Sequence, residues 1–157
     1  MSRPSGFSIV EALVALVVLS VGMLGIAALY VESLRAGRTA VYRTQAVNLA
    51  SDMADRIRAN RNALGAWGLT ATDNPTDQGC VAGTTNCSAA QLAQDDQASW
   101  RLAIQQQLPG SPTANPATPF GTIQVINAVV PNQYVITVTW SEPGEQQALT
   151  YALTMEI

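Results

Sequence analysis

The sequence contains no histidine and no lysine, and all eight of its basic residues are arginines. Without histidine the chain lacks the commonest general base at neutral pH and the commonest metal ligand. Its acidic residues do not follow the spacing of a calcium-binding loop, and it has no glycine-rich phosphate-binding motif. The net charge of −3 does not suggest a chain that covers nucleic acid, and the acidic excess is too small to imply a partner. We therefore expect no enzyme, no cofactor or metal site, and no nucleic-acid partner.

Cysteine is scarce as well, with only Cys80 and Cys87 present and six residues between them. A metal site would need more ligands nearby, and a redox motif would need a tighter spacing. We predict a structural disulfide, which would stabilise the fold by about 2–3 kcal/mol in the chain-entropy model. A disulfide implies an oxidising compartment such as a bacterial periplasm.

Proline and charge are the residue types missing from the first apolar stretch. Between Ala12 and Val31 no side chain is charged, and Ser20 is the only clearly polar one. This stretch corresponds to about 30 Å of helix, which is the thickness of the hydrocarbon core of a bilayer. The remaining residues of the 157-residue chain suit one further domain.

Three interpretations fit this apolar stretch: a plain transmembrane anchor, a secretory signal peptide cleaved near residues 25–27, or a short leader removed between Gly6 and Phe7. Glu11 favours the third, because an acid inside an apolar helix needs a partner and costs about 2.5–3.5 kcal/mol when it is central, less near the end. Cleavage after Gly6 would create that partner, the α-amino group of Phe7. This amine lies one helical turn from Glu11 and could pair with the Glu11 of a neighbouring subunit.

The helical pattern does not stop where a signal peptide would end. Apolar residues recur every three or four positions beyond the membrane-length stretch: Leu34, Val41, Tyr42, Ala46, Leu49, Met53 and Ile57. Oppositely charged pairs at helical spacing, Glu32 with Arg35 and Asp52 with Arg56, suit an exposed face. We therefore predict one helix from Ser8 to Asn60, apolar in its first half and amphipathic in its second.

Residues 6–16, GFSIVEALVAL, resemble the processing signal and helix start of type IV pilins and type II secretion pseudopilins. The resemblance implies cleavage by a prepilin peptidase at Gly6/Phe7, N-methylation of Phe7, and a role for Glu11 in docking to a neighbouring subunit. Residues 53–61 and 97–101 are similar to segments of the PilV-type minor pilins. Many major pilins carry a proline within the apolar helix, and its absence here favours a minor pilin.

This resemblance implies a leader at residues 1–6, a hydrophobic transmembrane and assembly helix half at 7–31, and an extracytoplasmic head at 32–157. The implied function is that of a minor pilin that helps to prime pilus assembly near the fibre tip. The implied partners are the prepilin peptidase, the other minor pilins, the major pilin and a tip adhesin. The subunit would first lie in the inner membrane with its head in the periplasm, and then in a surface pilus. A type II secretion pseudopilin and a conventionally anchored or secreted binding domain remain alternatives.

The head is predicted to be α+β, with a loop-rich region from Arg61 to about Ala90 held to the core by Trp67 and Leu69. Ser88 and Gln91 form a capping-box pattern before a helix that ends near Leu108. A proline-rich linker at 109–119 follows. Three alternating segments at 122–130, 134–141 and 147–157 predict an antiparallel meander packed on the amphipathic half of the long helix.

Two charged clusters in the head do not indicate a site. Asp95 and Asp96 are adjacent, so their carboxylates should point to different sides of a helix into solvent. Arg56, Arg58 and Arg61 suit the negative end of the long helix and pairing with nearby acids. We interpret the acids as a solvated pair and the arginines as cations at the helix C-terminus that pair with Asp52 and Asp55. An electropositive patch for DNA or a partner pilin is the alternative interpretation of the arginines.

Overall fold

The computed structural model describes residues 6–81, 86–110, 117–126 and 132–157. In chain order it contains helix α1 (Ile9–Ala59), a short 3₁₀ helix (Arg61–Trp67), helix α2 (Ala89–Gln107) and strands β1 (Phe120–Ile126), β2 (Gln133–Trp140) and β3 (Leu149–Glu156). The chain divides into two compact units, one ending at Ala40 and the other spanning Val41–Ile157. Three parts of the predictions lie outside the described residues: most of the leader (1–5), the middle of the linker (111–116) and the end of the first strand (127–130).

Helix α1 confirms the predicted helix to within one residue at each end. Ser8 caps its start, because the Ser8 hydroxyl accepts a hydrogen bond from the Val10 N–H at 3.3 Å. Glu11 lies in the first turn, while Arg56 and Arg58 lie in the last, an order that suits the helix dipole. Gly37 does not interrupt the helix, which continues through it from Ile9 to Ala59.

Helix α2 begins at the predicted capping box. The Ser88 hydroxyl accepts from the Gln91 N–H at 3.4 Å, and the Gln91 side chain accepts from the Ser88 N–H at 2.9 Å. The helix ends before Pro109, which cannot continue it. Trp100 and Ile104 are fully buried and form the core-facing side of this helix.

The three strands form an antiparallel sheet in the order β1–β2–β3, as the alternating segments predict. The turn between β2 and β3 contains Gly144 at a φ of 97°, a conformation that glycine adopts without steric cost. Tyr134, Ile136, Val138 and Trp140 alternate on the buried face of β2. Strand β1 begins at Phe120, two residues before the predicted start.

One core unites the second half of α1, the 3₁₀ helix, α2 and the sheet. Its largest fully buried side chains include Trp67, Trp100, Trp140, Tyr134, Met53 and Ile57. Every buried residue of α1 lies at Ala46 or beyond. The amphipathic half of α1 and the sheet therefore contribute to one common core, as the predicted packing requires.

The region after α1 is more regular than the loop that the sequence predicts, because residues 61–67 form a 3₁₀ helix. Leu64, at a φ of 44°, kinks it. Trp67 is fully buried and donates from its indole nitrogen to the Asn60 carbonyl at 3.2 Å. Leu69 exchanges two backbone hydrogen bonds with Ile123 of β1, at 2.9 and 2.8 Å. Trp67 and Leu69 thus hold the region to the core, as predicted.

Candidate functional site

The residues at the start of α1 are those that the sequence analysis predicts to form a processing motif. Gly6, Phe7 and Ser8 precede the helix, and the Phe7 side chain is 80% exposed. Glu11 lies one turn further on, in the first turn of the helix. Residues 1–5 of the leader lie outside the described part of the chain.

The apolar half of α1 is uncovered along its whole circumference. All residues from Gly6 to Arg38 are exposed, and the helix is long and apolar enough to cross a membrane by length and composition. Isolated exposed apolar side chains are ordinary, but a continuous surface of this kind marks a contact with lipid or protein. The exposed set includes Ile9, Val10, Leu13, Leu16, Leu19, Leu24, Ile26 and Leu29.

The polar groups inside this apolar surface differ in how they are satisfied. The Ser20 hydroxyl donates to the Val17 carbonyl at 2.8 Å, so the helix itself provides its partner. Glu11 is the only charged side chain from Ile9 to Val31. An acid in such surroundings is costly unless a cation or hydrogen-bond donor comes from elsewhere. The geometry therefore singles out Glu11 within the helix.

A second group of polar side chains organises the cysteine loop of the head. Cys80 and Cys87 form a disulfide, with their Cα atoms 5.8 Å apart. The carboxylate of Asp95, on α2, accepts hydrogen bonds from the backbone N–H groups of Gln78 at 2.6 Å and Gly79 at 3.1 Å. Asp95 thus ties the residues that lead into the disulfide to the second helix.

Two further residues of α2 hold the chain between the 3₁₀ helix and the cysteine loop. The Gln97 side chain donates to the carbonyls of Ala66 at 3.1 Å and Trp67 at 2.9 Å. The Arg101 guanidinium donates to the carbonyls of Thr70, Asp73 and Gly121. These bonds give side-chain donors to backbone carbonyls of the 3₁₀ helix, the loop after it and β1. The sequence does not indicate them, because backbone carbonyls are partners that every residue offers.

The interpretation of Asp95 and Asp96 as a solvated pair is wrong. Asp95 is 5% exposed and bonded to the loop, and the Asp96 carboxylate lies 2.8 Å from a guanidinium nitrogen of Arg56 on α1. Arg56 also contacts Asp52 at 3.0 Å. Adjacent positions do place the two carboxylates on different sides of α2, but each side faces another part of the head. Arg56 therefore links two helices.

Electrostatics support these assignments. Burial by itself raises the pKa of the Asp95 carboxyl, but hydrogen bonds with the Gln78 backbone, the Asp77 side chain and the backbone of Val81 and Gly79 together outweigh it and hold that pKa below its ordinary value. For Arg56, partial burial lowers the pKa, and the contacts with Asp96 and Asp52 outweigh burial and raise it. Both groups are thus stabilised in their charged forms.

The substitution Asp95→Asn should destabilise the head by about 1–3 kcal/mol at neutral pH, because it weakens two charge-assisted hydrogen bonds to partly buried backbone N–H groups. The folded pKa of Asp95 lies below its unfolded value, so its contribution is present above about pH 4 and disappears as the pH falls through the folded pKa. Denaturant unfolding of the full chain in detergent, at a series of pH values, measures both effects.

The matched control for this substitution is Asp55→Asn, since Asp55 is exposed and pairs only with Arg58 of its own helix at 2.8 Å in the described structure. This variant should change stability by less than about 1 kcal/mol. The difference between wild type and Asp95→Asn should shrink below about pH 4. A difference that is constant with pH, or equal to that of the control, would contradict the role of the Asp95 carboxylate.

Comparisons with known proteins agree with this structure. Residues 1–27 match the prokaryotic N-terminal methylation motif, and residues 28–98 match the family described as type IV pilin Tt1218. Searches of curated proteins and of solved structures found no significant match. The long apolar N-terminal helix, the further helix and the three-stranded antiparallel sheet are consistent with the α+β pilin fold. The two family matches together with this architecture identify the chain as a type IV pilin-like protein.

Proposed function

We propose that the protein is a minor pilin of a type IV pilus, processed between Gly6 and Phe7 and inserted in the inner membrane before assembly. The observation that carries this proposal is the exposed apolar half of α1, which lies largely within the matched methylation motif at residues 1–27 and contains one acid, Glu11. A bilayer covers such a surface before assembly, and neighbouring helices cover it in a fibre.

In this proposal Glu11 and the processed N-terminus act together. Removal of residues 1–6 makes the α-amino group of Phe7 the first cation of the chain, one turn from Glu11. A carboxylate in an apolar helix gains most from an opposite charge that arrives with the next subunit. Docking of one subunit on another would thereby join an ammonium and a carboxylate that are costly to leave alone in an apolar environment.

Two features support a minor rather than a major pilin. The apolar half of α1 contains no proline, and residues 53–61 resemble the PilV type of minor pilin. In the structure this second segment belongs to the head, where Met53 and Ile57 are buried and Arg56 contacts α2. The resemblance in this segment therefore concerns residues that build the head. Together with other minor pilins, such a subunit would prime assembly near the fibre tip, with the major pilin and a tip adhesin as further partners.

Mass analysis of the N-terminus tests the processing step. Protein purified from its native membrane should begin at Phe7 and be heavier by one methyl group than the unmodified chain from that residue. The variant Gly6→Val should retain residues 1–6, because it places a bulky side chain at the proposed cleavage site. A mature terminus near Ala28, or an intact Met1, would contradict the proposal and indicate a signal peptide or an anchor.

Deletion of the gene distinguishes a pilus subunit from a type II secretion pseudopilin, which would share the same N-terminal processing. If the protein is a minor pilin that primes assembly, its deletion should lower the amount of surface pili and leave protein secretion unchanged. Loss of secretion with normal pili would overturn the assignment to the pilus. Complementation with the wild-type gene controls for effects on neighbouring genes.

A further inference from the structure

The two edge strands of the sheet, β1 and β3, differ in the backbone hydrogen bonds that their outer edges make with the rest of the head. The outer edge of β1 is covered at Ile123, whose N–H and carbonyl both bond to Leu69. Strand β3 forms the other edge and pairs only with β2 among the described residues. An uncovered edge presents backbone donors and acceptors to any extended chain that reaches it.

The hydrogen-bond pattern shows which residues of β3 face outward. The Ile157 N–H donates to the Asn132 carbonyl at 3.0 Å, just beyond the last paired residues of β3 and β2. Bonded and non-bonded pairs alternate in an antiparallel ladder. The backbone groups of Leu149, Tyr151, Leu153 and Met155 therefore point toward β2, and those of Thr150, Ala152, Thr154 and Glu156 point away from it. The bonds between Ile123 and Leu69 fix the same alternation from the other side of β2.

Strand β3 lacks the devices that usually protect an edge. Its sequence, LTYALTME, has no proline and no lysine, and its only charge is Glu156 at the end. All eight residues pair one to one with β2, so no bulge twists the edge away. Natural edge strands commonly carry at least one such device, because a regular and uncharged edge promotes pairing with other chains.

The apolar side of the sheet is also incomplete at this edge. The core-facing residues of β2, among them Ile136 and Val138, are fully buried. The next row, on β3, is only half-buried at Leu149, Tyr151 and Leu153, although all three pack against the core. At the opposite edge of the same face, Gly121 of β1 lies directly under Trp100 of α2. A further strand beside β3 would cover the half-buried row.

Charge indicates what kind of strand fits. The last basic residue of the sequence is Arg101. Exposed acids, in contrast, lie near both ends of β3, with Glu145 before the strand and Glu156 at its end. A second copy of this hairpin would bring the same acids to the contact. A strand with basic residues at its ends would instead place opposite charges near Glu145 and Glu156.

We propose that the outer edge of β3 binds an extended segment of another polypeptide as a fourth strand, and that this segment alternates apolar and polar residues between basic ends. Backbone bonds to Thr150, Ala152, Thr154 and Glu156 provide the binding, and apolar contacts with Leu149, Tyr151 and Leu153 provide selectivity for one face. This surface lies in the head and does not depend on the processing of the N-terminus.

Amide hydrogen exchange of the full chain in detergent micelles tests the proposal. The probe is a synthetic peptide in which three Val-Thr repeats are flanked by two arginines at each end. We expect it to slow exchange of the outward amides of Thr150, Ala152, Thr154 and Glu156 by roughly tenfold or more, with little change at the inward amides that are already bonded. A peptide with glutamates in place of the arginines should protect these amides less.

The variants Ala152→Pro and Ala152→Val separate edge pairing from charge. Proline removes an outward N–H without removing a bond to β2, so it should abolish protection by the peptide, whereas valine should preserve it. Thr154→Pro provides a second test, and unchanged exchange at the inward amides verifies that each variant folds. Failure of the basic peptide to protect the edge, or full protection in both proline variants, would overturn the proposal. Protection that appears without peptide and rises with protein concentration would also overturn it, since the occupant would then be a second copy.

Discussion

Replacing Glu11 with alanine should lower incorporation of the subunit into pili by roughly tenfold or more, because an unpaired charge in a bilayer-like environment costs up to about 3 kcal/mol. In the proposed assembly the carboxylate pairs with the amino group of a processed neighbour. Without the carboxylate, that ammonium enters the apolar helix packing with no partner. The head should keep its fold, since all buried residues of α1 lie at Ala46 or beyond.

The matched control is Glu32→Ala, which removes an acid from the same helix. Glu32 lies beyond the apolar stretch, and its carboxylate is 3.9 Å from Arg35 in an exposed pair. Such a pair contributes less than about 1 kcal/mol, so incorporation should change little. The measurement is the ratio of subunit in sheared pili to subunit in membranes, with near-ultraviolet circular dichroism of the purified chain as a check of the fold. Normal incorporation of the Glu11 variant would refute the pairing.

Replacing Gly121 with alanine should destabilise the head by about 3 kcal/mol or more, at the upper end of the cost of overpacking. A Cβ atom at this position of β1 would lie 2.2 Å from Cζ3 and 2.3 Å from Cη2 of Trp100, and 2.7 Å from Cδ1 of Ile104. The indole cannot rotate away easily, since it is fully buried and donates from Nε1 to the Leu49 carbonyl at 2.8 Å. Denaturant unfolding followed by tryptophan fluorescence measures the loss.

Gly68→Ala is the control for the loss of a glycine in the same unit. A Cβ there would lie 3.5 Å from the Gly65 carbonyl oxygen and 3.9 Å from Cγ2 of Val125, which are ordinary contacts. We expect a change within about 0.5 kcal/mol. Combining Gly121→Ala with Trp100→Leu should cost less than the sum of the two single changes, because the clash requires both side chains. Equal stability of the two glycine variants would contradict the close packing of β1 on α2.

Local pattern was sufficient to predict the regular elements. Helix α1 follows from a three- and four-residue repeat, α2 from the capping box of Ser88 and Gln91, and β2 from strict alternation between Tyr134 and Trp140. These signals depend on residues close together in the chain, so no tertiary contact is needed to interpret them. The processing motif at Gly6 and Phe7, with Glu11 after it, is equally local, and it matches the methylation motif as a sequence.

The contacts between distant residues were decided by the tertiary structure alone. Asp95 and Asp96 resemble any solvated acidic pair in sequence, but in the head one bonds the cysteine loop and the other bonds Arg56. Gly121 acquires its importance only because Trp100 lies against it. The sequence thus determined the helices, the strands and the apolar first half of α1, because each is a periodic or local property. The fold determined which carboxylates are bonded and which strand edge is uncovered among the described residues, because those depend on partners far away along the chain and on backbone groups that carry no sequence signature.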